Sequence, residues 1–287
     1  MSDVRQSNVS LVPPAPPMWK SGVLQRFFEA NRRIAQAITP RHVHEANVFG
    51  AYRKIGALLL SRPDVKTVVD VGAGKGWHFP RHYKEWYGIR LIGLDIDGAE
   101  MAPNAELDRK IECDVADRIP MEDDSADLFM VHSGIEHFSN NQRFLENALR
   151  VLRPGGFLIA QFPSRYAPFV LANRLLPQAV SQRILSNAMG ERSKLLGFRA
   201  YYDRTDYLAF RKMYRSVGFE EVYHLPGYCS SSYCEFFLPL FALSYMYDAI
   251  LFALGIKQLA AYNFWVLRKP DPAGPDQSMR LYAWNYK

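Results

Sequence analysis

Val68-Val69-Asp70-Val71-Gly72-Ala73-Gly74-Lys75-Gly76 decides the fold. The β-branched run Thr67–Val71 reads as a strand, and it leads straight into three alternating glycines that should open a helix. Glycine lacks a Cβ and tolerates positive φ, so such a loop can turn tightly and bring backbone close to a ligand. In an open α/β sheet, ligands bind at this carboxyl edge of the strands. A dinucleotide loop would require G-x-G-x-x-G/A. Trp77 fills the small-residue position counted from Gly72, and Phe79 fills the one counted from Gly74, so a dinucleotide is disfavoured.

Outward from this loop, strands and helices alternate. Arg90–Leu94, Arg109–Cys113, Leu128–Val131 and Phe157–Gln161 read as further strands. A helix over Asn141–Leu152 is expected to stop at the turn Pro154-Gly155-Gly156. Glu221–His224 and Asn263–Arg268 read as the last two strands, after a helix capped by Thr205 and stopped by Gly218. Such alternation predicts βαβ units and a mostly parallel sheet with helices on both faces.

Two carboxylates accompany the loop. Asp95 ends the second strand, 25 residues beyond Asp70, where it can accept hydrogen bonds from both hydroxyls of a ribose. Asp97 reads as an ordinary turn aspartate. Asp114, in Cys113-Asp114-Val115, can accept from an adenine amino group while Val115 packs on the ring; alternatively it caps the next helix.

Together these residues resemble the class I S-adenosylmethionine-dependent methyltransferases, particularly the broad type 11 group that acts on small molecules. The likeness runs over about residues 65–162, with looser similarity through 268. It includes Ile119-Pro120 with Asp124-Ser125-Ala126-Asp127, where Ala126 replaces the usual aromatic, and Leu149-Arg150-Val151-Leu152-Arg153-Pro154-Gly155-Gly156. The resemblance implies a Rossmann-like sheet whose last strand is antiparallel, and S-adenosylmethionine as cofactor. It implies a cofactor site of Asp70, Gly72, Ala73, Gly74, Gly76, Asp95, Ile96, Asp114, Val115 and His132.

Because a sulfonium methyl is already activated, such an enzyme mainly positions its reactants, which can lower a barrier by about 7–11 kcal/mol. A base is needed only where the acceptor holds a proton of high pKa. The segment His132-Ser133-Gly134-Ile135-Glu136-His137 follows the fourth strand and resembles the family's segment there. His137 is the first candidate base, since imidazole titrates near neutrality, and His132 the second. Glu136 can orient an imidazole; no ligand cluster supports a metal. Either histidine can also simply pack or cap a helix. The segment lacks the Asn/Asp-Pro-Pro-aromatic tetrapeptide of base-amino methyltransferases, so nucleic acid is disfavoured. Arg199, Tyr201, Tyr202 and Arg204 read as a loop over the active site.

With 287 residues, 48% hydrophobic and 22% charged, the composition is that of an ordinary globular protein. Three cysteines make neither a disulfide framework nor a zinc site, and Met1 to Met18 does not read as a secretory signal. Residues 1–18 and 269–287 read as loose tails. Residues 19–268 read as one domain, with N-terminal helices over 19–60 (Ser21–Ile38 and His44–Leu60) and helical insertions over 164–202 and 228–260. The excess charge is +6, concentrated between Trp19 and Lys54.

Phe236 to Leu254 is the most apolar stretch, about 28 Å long as a helix, close to the thickness of a bilayer core. Pro239, Ser244 and Asp248 interrupt it, and it lies between two sheet strands, so a transmembrane helix is rejected. It reads instead as a lid, a homodimer surface or a membrane contact. The expectation is a cytoplasmic enzyme able to touch the inner membrane face. It would O-methylate a hydrophobic or lipid-linked small molecule or a saccharide. N- or C-methylation of a soluble metabolite, or a non-catalytic sensor or scaffold that binds S-adenosylmethionine, are the alternatives.

Overall fold

The computed structural model describes residues 22–39, 47–175 and 199–272. The expected alternation is present. After helices α1 (Gly22–Ile38) and α2 (Val48–Leu60) come β1 (Thr67–Val71), α3 (Arg81–Tyr87), β2 (Arg90–Asp95), α4 (Gly98–Met101), β3 (Arg109–Glu112) and β4 (Ala126–His132). Then follow α5 (Asn141–Val151), β5 (Leu152–Pro163), α6 (Pro168–Leu175), α7 (Tyr207–Val217), β6 (Glu220–Gly227), α8 (Leu238–Ala253) and β7 (Tyr262–Arg268).

The seven strands form one sheet in the order β3-β2-β1-β4-β5-β7-β6. Every pairing from β3 to β5 is parallel, while β7 inserts antiparallel between β5 and β6. Strand alternation divides the core into two layers. Val69, Val71, Ile92, Leu94, Phe129 and Trp265 face one layer, closed by α5 and α7. Val68, Leu91, Leu128, Met130 and Phe264 face the other, closed by Tyr52, Ile55 and Leu59 of α2. Each such side chain taken fully from water contributes roughly 1.5–3 kcal/mol. That burial, rather than propensity, holds short helices such as α5 in place.

Some boundaries differ from expectation. Helix α5 ends at Val151, and Pro154-Gly155-Gly156 is a kink inside β5, not a turn closing the helix. Gly155 has φ +78°, and its N–H reaches the Lys269 carbonyl at 3.0 Å while the Lys269 N–H reaches Gly156 O at 2.9 Å. The pairing partner is remote in sequence, so local glycine content could not reveal it. Helix α7 is capped by Asp206, not Thr205: its Oδ1 accepts the Ala209 N–H at 3.0 Å. Asp206 is fully enclosed and also meets Arg165 at 2.6 Å. Helix α2 starts at Val48, capped by Asn47, later than expected; residues 40–46 lie outside the described residues, as do most of the insertion (176–198) and the tails 1–18 and 273–287.

The apolar connection between β6 and β7 contains the 16-residue helix α8, and among the described residues no helix is long and apolar enough to cross a membrane. Asp248, which interrupts the run in the sequence, is buried, and its Oδ2 accepts the Ser231 N–H at 2.8 Å. It fastens α8 to the 3-10 turn Ser230–Tyr233. Phe241 and Leu251 face inward, while Leu243, Met246, Phe252 and Leu254 are exposed. Helix α1 packs on the start of α8 through Phe28 and Phe236, and Asn31 accepts the Leu238 N–H at 3.3 Å.

Candidate active site

Strand β1 delivers Asp70 and the glycine loop to the carboxyl edge of the sheet. Gly72 and Gly74 have φ of +69° and +45°, a region costly to other L-residues. The Gly72 N–H is anchored on Leu94 O at 2.8 Å, which ties the loop to the neighbouring strand. Nothing lies within 4 Å of where a Cβ on Gly72 or Gly76 would stand. The loop therefore faces open space at these two positions.

Asp95 sits beside it at the end of β2. One carboxylate oxygen accepts the Gly74 N–H at 3.1 Å and the other the Asp97 N–H at 3.1 Å. The two backbone donors fix the carboxylate, and its remaining lone pairs stay available. Ile96, beside it, is exposed, an apolar side chain at the rim of the cradle. Asp97 caps α4 through the Ala99 N–H at 2.9 Å, as its turn reading required.

Asp70 is buried and one of its oxygens has no partner. Burial, reinforced by the charge of Asp95, pushes its carboxyl up to about 7. Just past β3 the Asp114 Oδ1 accepts the Ala116 N–H at 2.8 Å, closing a turn and not capping a helix, and the side chain is exposed. Val115 lies in the core beside it.

Sequence reasoning missed one part of this cradle. Asn104 is buried, and its Nδ2 donates to Ala73 O and Gly74 O at 3.2 Å each. It clamps the loop from behind, and only the folded return of the chain after α4 brings it there. Asn104→Ala should weaken S-adenosylhomocysteine binding about 5- to 30-fold, or about 1–2 kcal/mol for two hydrogen bonds, with unchanged far-ultraviolet dichroism. Calorimetric affinity within twofold of wild type would count against the clamp.

Past β4, Ser133 takes φ +54° and its N–H bonds Gln161 O at 2.8 Å, turning the chain into the 3-10 turn Ile135–His137. His132 is packed among rings: His78 at 4.1 Å, Tyr52 at 5.0 Å and Phe49 at 6.1 Å between centroids. Its burial, together with His78 and Arg53, holds its imidazole down to about 3, so it is neutral at physiological pH. His137 Nδ1 lies 3.2 Å from Arg199 O and so must donate there, which leaves Nε2 as the acceptor. Burial lowers its pKa as well.

Glu136 behaves differently. It is buried, one carboxyl oxygen has no partner, and desolvation pushes it up to about 8. Its backbone carbonyl accepts the N–H groups of Tyr201 and Tyr202 at 2.8 and 3.0 Å, so the loop read from Arg199 to Arg204 does fold over this turn. Asn141 locks the same loop by donating to Ile135 O and Asp203 O at 3.1 and 2.7 Å. An aromatic wall continues from His132 through Phe49 to Tyr262 (5.1 Å), then Phe169 (5.7 Å) and Tyr233 (4.1 Å).

A glycine cradle flanked by carboxylates, with aromatic rings packed after the fourth strand, agrees with what comparison with known proteins finds. Residues 69–160 match the family described as a methyltransferase domain. The matched stretch holds the glycine loop and the strand ends that carry Asp70, Asp95 and Asp114. S-adenosylmethionine is the cofactor that the resemblance of these residues implies.

An uncharacterised methyltransferase of Mycobacteroides abscessus is 32% identical over 111 residues, 36% of this chain and 42% of that protein. The chloroplastic tocopherol O-methyltransferase of Arabidopsis thaliana is 31% identical over 103 residues, 33% of this chain and 29% of that protein. The chain thus spans less than half the length of the curated relatives it matches. Among solved structures, an S-adenosylmethionine-dependent methyltransferase from Mesorhizobium loti aligns with a TM-score of 0.44 at 14% identity, over 77% of this chain and 99% of that one. The cradle fits S-adenosylmethionine on three counts: positive-φ glycines beside open space, a preset carboxylate at Asp95 and a partnerless one at Asp70.

Proposed function

We propose that the chain is an S-adenosylmethionine-dependent methyltransferase that O-methylates a hydrophobic or lipid-linked small molecule, or a saccharide. The observation that carries this reading is the row of aromatic rings that begins at Tyr52, within the electrostatic influence of Asp70, and runs through His132 and Phe49 to Tyr262, Phe169 and Tyr233. When bound, S-adenosylmethionine supplies an activated methyl group. Asp95 would hold its ribose, Asp70 and the loop Gly72, Ala73, Gly74 and Gly76 its methionine end, and Ile96, Asp114 and Val115 its adenine. His132 would bound the cofactor side of the acceptor chamber, and His137, neutral with Nε2 as acceptor, remains a candidate base for an acceptor reaching that turn.

The test is methyl transfer from carbon-13-labelled S-adenosylmethionine into a cell extract fractionated into lipid, glycan, nucleic acid and protein. The carbon shift of the product methyl distinguishes attachment to oxygen, nitrogen or carbon. Label on oxygen in the lipid or glycan fraction is expected; a nitrogen-bound methyl in a water-soluble product would replace this reading.

Binding should depend on pH through Asp70. Below about pH 7 this carboxyl holds a proton and cannot form a charge-assisted bond with the cofactor's ammonium. Affinity for S-adenosylhomocysteine should therefore rise with pH by up to about tenfold per unit and level off above about 7. Asp70→Asn should flatten the profile, and an equally steep profile in that variant would remove Asp70 from the explanation.

The exposed apolar face of α8, beside the arginines Arg26, Arg32 and Arg33 of α1, suits a shallow contact with an anionic membrane, through which a lipid-linked acceptor would enter. The double variant Leu243→Asp with Phe252→Asp alters only exposed side chains. Wild type is expected to float with phosphatidylglycerol vesicles and the variant to stay behind; no flotation of wild type would refute the contact.

A further inference from the structure

Five side chains around the turn Ile135–His137 are left without work by cofactor binding: Glu136, Tyr202, Tyr233, Tyr262 and Phe169. They come from the turn itself, the loop over it, the 3-10 turn Ser230–Tyr233, β7 and α6. The Tyr233 and Tyr262 hydroxyls are hydrogen-bonded to each other. The Tyr202 N–H bonds the Glu136 carbonyl at 3.0 Å, and the Glu136 carboxyl acts electrostatically on Tyr202, Tyr233 and Tyr262 alike, so the three rings belong to its surroundings. A buried carboxyl oxygen with no partner is destabilising, and none of the three hydroxyls satisfies it. A group that costly, kept unpaired among ordered donors, is placed for a ligand.

We propose that Glu136 is the proton acceptor of the acceptor subsite and that the acceptor is a hydroxyl held between Glu136 and the Tyr202, Tyr233 and Tyr262 phenols. The proposal rests on the methyltransferase reading above and names the chemistry of its second substrate. The phenol pair explains why a hydroxyl fits. Two hydroxyls that bond each other use one O–H proton and leave the other free to donate. A hydroxyl oxygen accepts that donor and gives its own proton to the carboxylate, whereas an ammonium has no lone pair with which to accept. Phe169, stacked on Tyr233 at 4.1 Å, supplies an apolar floor for the rest of the acceptor.

The balance of the step follows from charge. The acceptor oxygen gains the methyl group and loses its proton to Glu136, while the sulfur keeps the electron pair of the broken C–S bond. One positive and one negative charge vanish together. A buried, low-dielectric chamber favours that outcome, because it penalises both charges at the start and neither at the end. Before the reaction the same attraction should ionise Glu136: the sulfonium is positive, whereas the demethylated product is neutral at sulfur. The other charged or titratable groups facing this cluster are His137 on the same turn, Cys229 near the tyrosine pair and Arg174, whose guanidinium lies 5.0 Å from the Tyr202 ring.

Isothermal titration at pH 7 in two buffers of different ionisation enthalpy tests this by counting protons. S-adenosylmethionine should release up to about one proton more than S-adenosylhomocysteine. Asp70 contributes equally to both, since both carry the same ammonium, so the difference isolates the sulfonium. Glu136→Gln should abolish the difference while keeping S-adenosylhomocysteine affinity within about threefold. Infrared difference spectra of wild type supply a second readout independent of any variant: both compounds should remove the Asp70 share of the protonated-carboxyl absorption, and S-adenosylmethionine should remove a further band that the homocysteine leaves. Equal proton release by the two compounds, or a persisting difference in Glu136→Gln, would overturn the proposal while leaving cofactor binding intact. Absence of heat with both compounds would instead remove the cofactor reading, and this proposal with it.

Discussion

Replacing Asp95 with alanine should weaken S-adenosylhomocysteine binding by about 10²–10³-fold, the larger of the two functional losses expected from single changes in the cradle. Two terms add. A carboxylate bonding both ribose hydroxyls makes two charge-assisted bonds, worth roughly 1.5–3 kcal/mol each, of which solvent restores a part. The same carboxylate also holds the Gly74 and Asp97 N–H groups at 3.1 Å, so its removal loosens the loop and the start of α4 together. A net loss of about 3–4 kcal/mol corresponds to the stated range. Asp95→Asn keeps one acceptor oxygen and should lie between, near tenfold. Calorimetry at pH 7.5 and low salt reads both variants; an alanine variant that binds as tightly as the asparagine one would show that the carboxylate organises the loop without touching the ligand.

The largest effect on stability is expected at Trp265. It is fully buried at the centre of β7, with Tyr207 stacked at 5.7 Å, His224 at 3.8 Å and Tyr214 at 5.1 Å. Trp265→Ala removes the side chain on which α7 and β6 both pack, and truncations of this kind cost about 3–5 kcal/mol. With roughly 2–4 °C per kcal/mol for a domain of this size, Tm should fall by about 6–20 °C. Because the site lies in the layer between the sheet and α7, far from the glycine loop in the strand order, S-adenosylhomocysteine affinity of the folded variant should change less than threefold. A shift in Tm below about 3 °C would mean that the surrounding rings collapse to fill the space.

The parallel half of the sheet was legible because its signals are local. Val68 to Gly76 states a strand, a turn and a helix start within nine residues, and Asp95 repeats the pattern one unit later. Strand ends were less legible, since a strand runs as far as its neighbour offers hydrogen bonds. Residues Arg153 to Gly156 belong to β5 because Lys269 pairs with Gly155 and Gly156 across 113 residues or more of chain. Thr205 and Asp206 are both good caps by type; the choice fell to Asp206, since Arg165 and Gln258 hold its carboxylate where it can also accept Ala209 N–H.

The candidate site divides the same way. The residues proposed for the cofactor lie on consecutive strand ends, where residue type, spacing and the family resemblance point to Asp70, Gly72, Gly74, Asp95 and Asp114. Asn104 carried no such mark, because an asparagine after a short helix looks like any turn residue until the fold sets it behind Ala73 and Gly74. The tyrosines proposed for the acceptor subsite come from a loop, a 3-10 turn and a strand separated by up to 60 residues, and only the fold brings them under the influence of Glu136. By itself the sequence determined the sheet and the glycine loop, since these depend on backbone rules that act over a few residues, and its family resemblance named the cofactor to expect. The tertiary structure alone decided which carboxyl is desolvated and what surrounds it, because burial is a property of the whole packed chain and no single segment contains it.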